Sequence, residues 1–301
     1  MTKLFRTFSA TAICFGGMMG SAWAQDDLPP VNNGSLSWEL GADVVSAYIF
    51  RGIEQEDSGL IVQPYVQVSG PVGETGIGFY VGSWQSIHSD DTGTGAIQST
   101  DAFGAPNGGT ATGSPTEWYE SDFYAGLDYQ LDKVTFGVLY TAFFSPNGAF
   151  SEVEEIGFSL AYDDLELLGD FAFNPYVFIA FQTDDQSVGP VGSEDIYLEL
   201  GGEFSTPFLD SEQFPVKVTI PFVLGFSLDD FYTDAAGNNE GFGFLKVGPA
   251  FQFPVDFIPS DYGIWEATAG VDLFFVNDDA LLLDDGDDFE IVGRLGIALR
   301  Y

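Results

Sequence analysis

Histidine and cysteine are almost missing from this 301-residue chain, which holds one of each, and basic residues are few: eight lysines and arginines face 46 aspartates and glutamates. Each scarcity excludes something. The single histidine, His88, leaves no histidine pair to hold a metal and no compact serine, histidine and acid set, so the chain reads as a non-enzyme with no cofactor and no metal centre. The single cysteine, Cys14, rules out a disulfide framework. With so few cations, the acidic surface repels phosphate, which argues against a nucleic-acid partner. Nowhere is there an uncharged apolar run of the length a membrane-spanning helix requires.

Aromatics, by contrast, make up 16% of the chain and glycines number 37, whereas a disordered acidic chain would be poor in aromatics. At the N-terminus, Lys3 and Arg6 precede a short apolar stretch with Ile13, Phe15, Met18 and Met19. Ala22-Trp23-Ala24 then supplies small residues where a signal peptidase reads them, so residues 1–24 are expected to be a cleaved signal peptide and 25–301 the mature domain. Cys14 leaves with the leader. Six basic residues then stand against 46 acidic ones, a net charge of −40.

The C-terminal stretch alternates with a period of two. Phe289, Ile291, Leu295, Ile297, Leu299 and Tyr301 fall on one face of a strand, while Asp288, Glu290, Arg294 and Arg300 fall on the other. An apolar row with no covering element must be buried against something outside the fold, and lipid around a closed barrel fits. The same alternation recurs in about twelve segments: 36–50, 60–70, 75–87, 117–131, 133–144, 152–163, 171–182, 194–205, 214–228, 240–253, 262–276 and 287–301. Pro64, Pro175, Pro221 and Pro249 weaken four of them, since proline cannot donate to a ladder.

With the N-terminus on the periplasmic side, every connection longer than eight residues falls in one set: 51–59, 88–116, 145–151, 183–193, 229–239 and 277–286. Long outer loops and short inner turns are what an outer-membrane barrel shows, and an even strand number returns both ends to the periplasm. A soluble β-sandwich or lipocalin-like barrel would have no reason to sort its loops and would turn its apolar rows inward. The fold class expected is therefore all-β, a transmembrane antiparallel barrel in the outer membrane of a diderm bacterium, with lipid as its surroundings.

Parity also assigns the lumen. If Phe123, Leu127 and Tyr129 face lipid, then Asp122, Tyr124, Gly126, Asp128 and Gln130 face inward. Trp265, Val271 and Leu273 outward put Glu266, Thr268, Gly270 and Asp272 inward. Glu39, Asp43, Glu199, Glu203 and Glu290 join them, against Lys217, Lys246, Arg294 and Arg300. An acidic wall favours cations or neutral polar solutes and disfavours anions. The alternative is that these charges pair into a network that plugs the barrel. Asp90 to Pro115 reads as a flexible outer loop, with folding into the barrel as the other option. The acidic stretch Asn277 to Asp288 does not have the spacing of an EF-hand and is expected to attract divalent cations loosely.

Three stretches carry a family resemblance. Asp43-Val44-Val45-Ser46-Ala47-Tyr48-Ile49-Phe50-Arg51-Gly52-Ile53-Glu54-Gln55 resembles the opening hairpin of the TorF-type porins. Gly78-Phe79-Tyr80-Val81-Gly82-Ser83-Trp84 and Glu120-Ser121-Asp122-Phe123-Tyr124-Ala125-Gly126 are similar to two further strands of that family. The resemblance implies a barrel and passive transport; the second half of the chain departs from it, so no substrate comes across. Within the motif, Arg51 is either an anchor paired to nearby Glu54, Glu56 or Asp57, or a selectivity contact facing the lumen. The last octet, with Arg294, Gly296, Leu299 and Tyr301, is similar to the signal read by the barrel assembly machinery, which makes that machinery an expected partner.

The function expected is a porin-like channel for small cationic or neutral polar solutes. A non-conducting structural or surface-receptor barrel with acidic outer loops is the alternative.

Overall fold

A computed structural model describes residues 36–90, 117–183, 195–209, 215–234, 236–280 and 286–301. The proposed signal peptide and most of the 88–116 loop lie outside the described residues.

The wall begins with β1 (Ser37–Val45), β4 (Ile61–Pro71), β5 (Ile77–His88), β6 (Trp118–Leu131), β7 (Val134–Phe144) and β8 (Val153–Tyr162). It continues with β9 (Tyr176–Gln182), β10 (Ile196–Leu209), β11 (Val216–Asp229), β12 (Phe242–Val247), β13 (Ala250–Pro254), β14 (Ile264–Val276) and β15 (Phe289–Arg300). All pairings are antiparallel between neighbours. β12 and β13 are successive halves of one course, each lying between β11 and β14, so the wall is a twelve-strand barrel. Closure comes from β1 against β15, with Glu39 opposite Arg300 and Val45 opposite Arg294. Trp38 and Tyr301 seal the end of that seam by exchanging backbone hydrogen bonds of 2.7 and 2.8 Å. Among the described residues the wall has no edge strand left for another chain to pair with.

The barrel is inside out relative to a soluble protein. Leu127, Val138, Phe158, Ile291 and Ile297 are exposed around its outside, and Leu295 on the terminal strand keeps 63% of its surface open. Apolar side chains in such numbers on a continuous outer belt are matched to hydrocarbon rather than to water. Trp38, Trp118, Tyr129, Tyr140 and Tyr162 add aromatic rings to this surface.

Three of the sequence expectations are corrected. The strand expected over 36–50 leaves the wall after Val45, where the Ser46 amide and hydroxyl make its last contacts, with Gly293. The strand expected from 171 starts at Tyr176, because Pro175 has no N–H to give. The residues before it form a helical turn, α1 (Leu165–Leu168), tied down by the Asp164 carboxylate, which accepts from the Phe173 and Asn174 amides. The connection 163–175 is therefore longer than the short turn expected at that end of the barrel. The strand expected over 240–253 breaks at Gly248 and Pro249, where Gly248 packs directly on the Val271 carbonyl. Pro64 and Pro221 do sit inside strands, and the β4–β5 register skips the position of Pro64.

Candidate functional site

Strand alternation places Glu39, Asp43, Asp122, Asp128, Glu199, Glu203, Glu266, Asp272 and Arg294 on the inward rows, together with Lys217, Lys246, Glu290 and Arg300. They do not form one constellation. Glu39 and Arg300 form an ion pair near the closed seam, at 3.6 Å. Glu199 accepts from the hydroxyls of Tyr176 and Tyr197, each at 2.6 Å.

What the sequence reading missed is the occupant of the lumen. Residues 48–56, expected to end the first strand and begin an outer loop, instead fold into the barrel as a hairpin of β2 (Tyr48–Phe50) and β3 (Ile53–Glu56). Phe50 pairs with Ile53, so Arg51 and Gly52 are the two turn residues, with φ of 48° and 83°. This is the left-handed geometry of a two-residue hairpin turn, which asparagine or glycine usually supplies at the first position. An arginine there carries backbone strain of about 1–2 kcal/mol. Gly52 has no alternative at all, since a β-carbon would lie 2.6 Å from the Phe244 ring.

The strained residue is held by its side chain. The Arg51 guanidinium donates two hydrogen bonds to the Glu155 carboxylate on β8, at 2.6 and 2.7 Å, and Arg51 is only 2% exposed. The partners considered from sequence, Glu54, Glu56 and Asp57, are not the ones that hold it; Glu155 reaches it from across the lumen. Four rings surround the same guanidinium: Tyr197 at 4.3 Å, Phe50 at 4.9 Å, Phe231 at 5.5 Å and Phe178 at 5.8 Å. Phe231 and Tyr232 come from the loop after β11, another connection at the same end of the barrel that turns inward, and the Tyr232 hydroxyl donates to the Arg51 carbonyl at 2.7 Å. That loop is braced further out by Asp234. Hydrogen bonds from Asn238 and from backbone amides hold the Asp234 carboxyl below the usual aspartate pKa.

The rest of the hairpin is docked with equal density. The Tyr48 hydroxyl donates to Glu120 at 2.8 Å, and its ring meets Trp84 at 5.3 Å. The Tyr119 hydroxyl donates to Gln55 at 2.6 Å, and Phe50 packs edge-on against Phe143. His88, which from sequence marked only a strand end, is fully buried, bonded to Ser86 and stacked on Tyr119. Between the hairpin and the wall is a cavity of about 30 Å³ beside Gln63, Trp84, Asp272 and Arg294, room for about one water.

Behind this apolar plug the wall stays acidic. Glu120 and Asp122, neighbours on one face of β6, are in side-chain contact and almost fully buried. Both oxygens of Asp122 and one of Glu120 have no hydrogen-bond donor from outside the pair. Among the described residues no group of three or more histidines, cysteines or carboxylates is arranged to hold a metal. Residues 281–285 of the acidic loop expected to attract divalent cations lie outside the described residues.

Fold and site together define a class: a twelve-strand membrane barrel of outer-membrane type whose lumen holds its own first hairpin and is polar behind it. More particularly, residues 33–214 match the family described as "Bacterial protein of unknown function (Gcw_chp)", and the chain belongs to that family. The match spans all three stretches on which the TorF-type resemblance rests, though the porin name does not come with it. No curated protein matches the sequence. Among solved structures, a bacterial polysaccharide outer membrane secretin has 9% identity and a TM-score of 0.44 over 88% of this chain and 97% of the other. An outer membrane channel from Pseudomonas putida F1 has 8% identity and a TM-score of 0.42 over 89% and 96%. The translocator domain of the autotransporter NalP from Neisseria meningitidis has 12% identity and a TM-score of 0.38 over 90% of each chain.

Proposed function

We propose that this protein is an outer-membrane, porin-like channel for small cationic or neutral polar solutes, closed at rest by the hairpin and opened when the hairpin leaves the lumen. The observation that carries this reading is the buried pair Glu120 and Asp122, three of whose oxygens have no hydrogen-bond donor from outside the pair. Burying two carboxyl groups against each other, with the Tyr48 hydroxyl donating to one of them, is costly, whereas a lumen that fills with water when the hairpin withdraws hydrates both. The acidic inward rows then act on what passes, favouring cations and disfavouring anions. On this reading the leader is cleaved on export, the last strand with Arg294, Gly296, Leu299 and Tyr301 is read by the barrel assembly machinery, and acidic outer loops gather divalent cations loosely. No catalytic step is assigned.

The dense docking of the hairpin favours a second reading, in which the plug is permanent and the barrel is structural or a surface receptor. Planar-bilayer recording of the refolded protein across a potassium chloride gradient separates the two. The channel reading expects openings, at least intermittent, with a reversal potential on the cation-selective side. It also expects that preference to weaken in Glu120→Gln/Asp122→Asn. Silence from the wild type and from a hairpin-deleted variant would leave the structural reading standing.

A further inference from the structure

We infer that the chamber now filled by Arg51 is a binding site for guanidinium-bearing solutes, with Arg51 acting as a built-in competitor. This inference rests on the channel reading for its role, though not for its chemistry. Without the hairpin, the wall still presents Glu155 from β8, Phe178 from β9, Tyr197 from β10 and Phe231 from the inward loop, four groups on separate elements converging on one point. A carboxylate offering both oxygens in one plane matches the paired N–H groups of a guanidinium, and aromatic faces around it attract a delocalised, weakly hydrated cation. Glu199, held by Tyr176 and Tyr197, adds a second negative charge at the cage wall.

Two features set Arg51 apart from an ordinary anchor. It sits in a left-handed backbone conformation that glycine would adopt without strain, so its side chain is retained at some expense to the turn. It is also carried by a hairpin that forms a sheet of its own and pairs with no strand of the wall, so a free guanidinium can take its place while the barrel stays intact. A solute of this class entering the cage displaces the tip of the hairpin and thereby unlatches the plug. Potassium has no N–H groups for Glu155, and tetramethylammonium brings its charge and contact with the rings but likewise no N–H.

The test uses methylguanidinium on the refolded protein, measured by titration calorimetry in micelles so that binding is read independently of conductance. Arg51→Gly empties the cage while keeping a turn residue that suits the positive φ. It should bind methylguanidinium saturably at one site, about tenfold or more tighter than the wild type, where Arg51 competes, and than Arg51→Gly/Glu155→Gln, where the carboxylate is lost. In the wild type, methylguanidinium should speed cleavage of the hairpin at Glu54 by a glutamate-specific protease at least severalfold more than equal concentrations of potassium or tetramethylammonium. That second readout decides the matter if Arg51→Gly fails to show the heat-modifiable mobility of a folded barrel. Absence of saturable binding by a folded Arg51→Gly, binding unaffected by Glu155→Gln, or equal responses to all three cations would overturn the inference. Binding by a protein that never conducts would instead keep the cage and remove the channel.

Discussion

The two ends of this barrel solve the same problem, a lumen too wide for a single row of side chains, in opposite ways. At the end where β1 begins and β15 finishes, the wall fills its own interior: Tyr65, Tyr80, Tyr124 and Tyr176 lay their rings across Gly41, Gly126, Gly82 and Gly201 of neighbouring strands, closer than any β-carbon would permit. These rings leave carboxylates and amides half-open to solvent, with the Tyr65 hydroxyl donating to Glu39 and the Tyr124 hydroxyl to Gln67. At the loop end the wall keeps its carboxylates, and a separate hairpin supplies the filling. The tyrosine and glycine pairs are part of the wall and cannot leave without unfolding it. The hairpin is joined to the wall covalently only at its two ends and is otherwise held by the Arg51–Glu155 ion pair, hydrogen bonds and aromatic packing, so on the channel reading it leaves as a unit. Permanence at one end and removability at the other is the difference that suggests a gate.

The largest expected effect comes from cutting the latch. Glu155→Ala leaves the Arg51 guanidinium buried without its carboxylate and should cost about 3–5 kcal/mol of docking free energy. Glutamate-specific proteolysis at Glu54 should become fast while the barrel keeps its heat-modifiable mobility; a hairpin that stayed protected would show that Glu155 does not hold it. Gly52→Ala follows, because the side chain would both strain a turn residue at φ 83° and meet the Phe244 ring, an expected loss of about 1–3 kcal/mol. It too should expose the hairpin without altering barrel assembly.

At the other end the sign of the contrast reverses. Gly126→Ala, which pushes against the Tyr80 ring, should lower the unfolding midpoint of the whole barrel by an amount equivalent to about 1–3 kcal/mol and leave the hairpin as protected as before. Proteolytic release of the hairpin in this variant would erase the distinction between the two ends. The smallest effect is expected at Lys133, whose ion pair with Glu166 lies in an exposed turn. Lys133→Ala should leave both the unfolding midpoint and hairpin protection unchanged within error.

The wall was legible from sequence because its physics is local. One apolar face toward lipid imposes a period of two on every strand, so parity alone put Asp122, Asp128, Glu266 and Asp272 on the rows where they lie. The hairpin was not legible because parity pointed the wrong way. Continued past Val45, the β1 alternation puts Ser46, Tyr48 and Phe50 on the lipid face, where two aromatics look like an interfacial girdle. The contrary signals were present but weak: Ala47-Tyr48-Ile49-Phe50 is an unbroken apolar run, and Arg51-Gly52 with apolar residues on either side has the length of a two-residue turn. Arg51 was recognised as important, but its partner lies 104 positions away, and no spacing rule could have linked it to Glu155. The breaks at Pro175 and Pro249 were foreshadowed by the residues themselves, while Pro64 and Pro221 show that the surrounding ladder can absorb a missing donor.

Whether the hairpin, and not the wall, closes this lumen is decided by single-channel recording of the wild type beside a variant in which residues 47–56 are replaced by a short glycine and serine linker. Brief, infrequent openings are expected in the wild type and long-lived, cation-selective openings in the variant; equal silence from both, with each confirmed as a folded barrel, would show that the hairpin is not the gate.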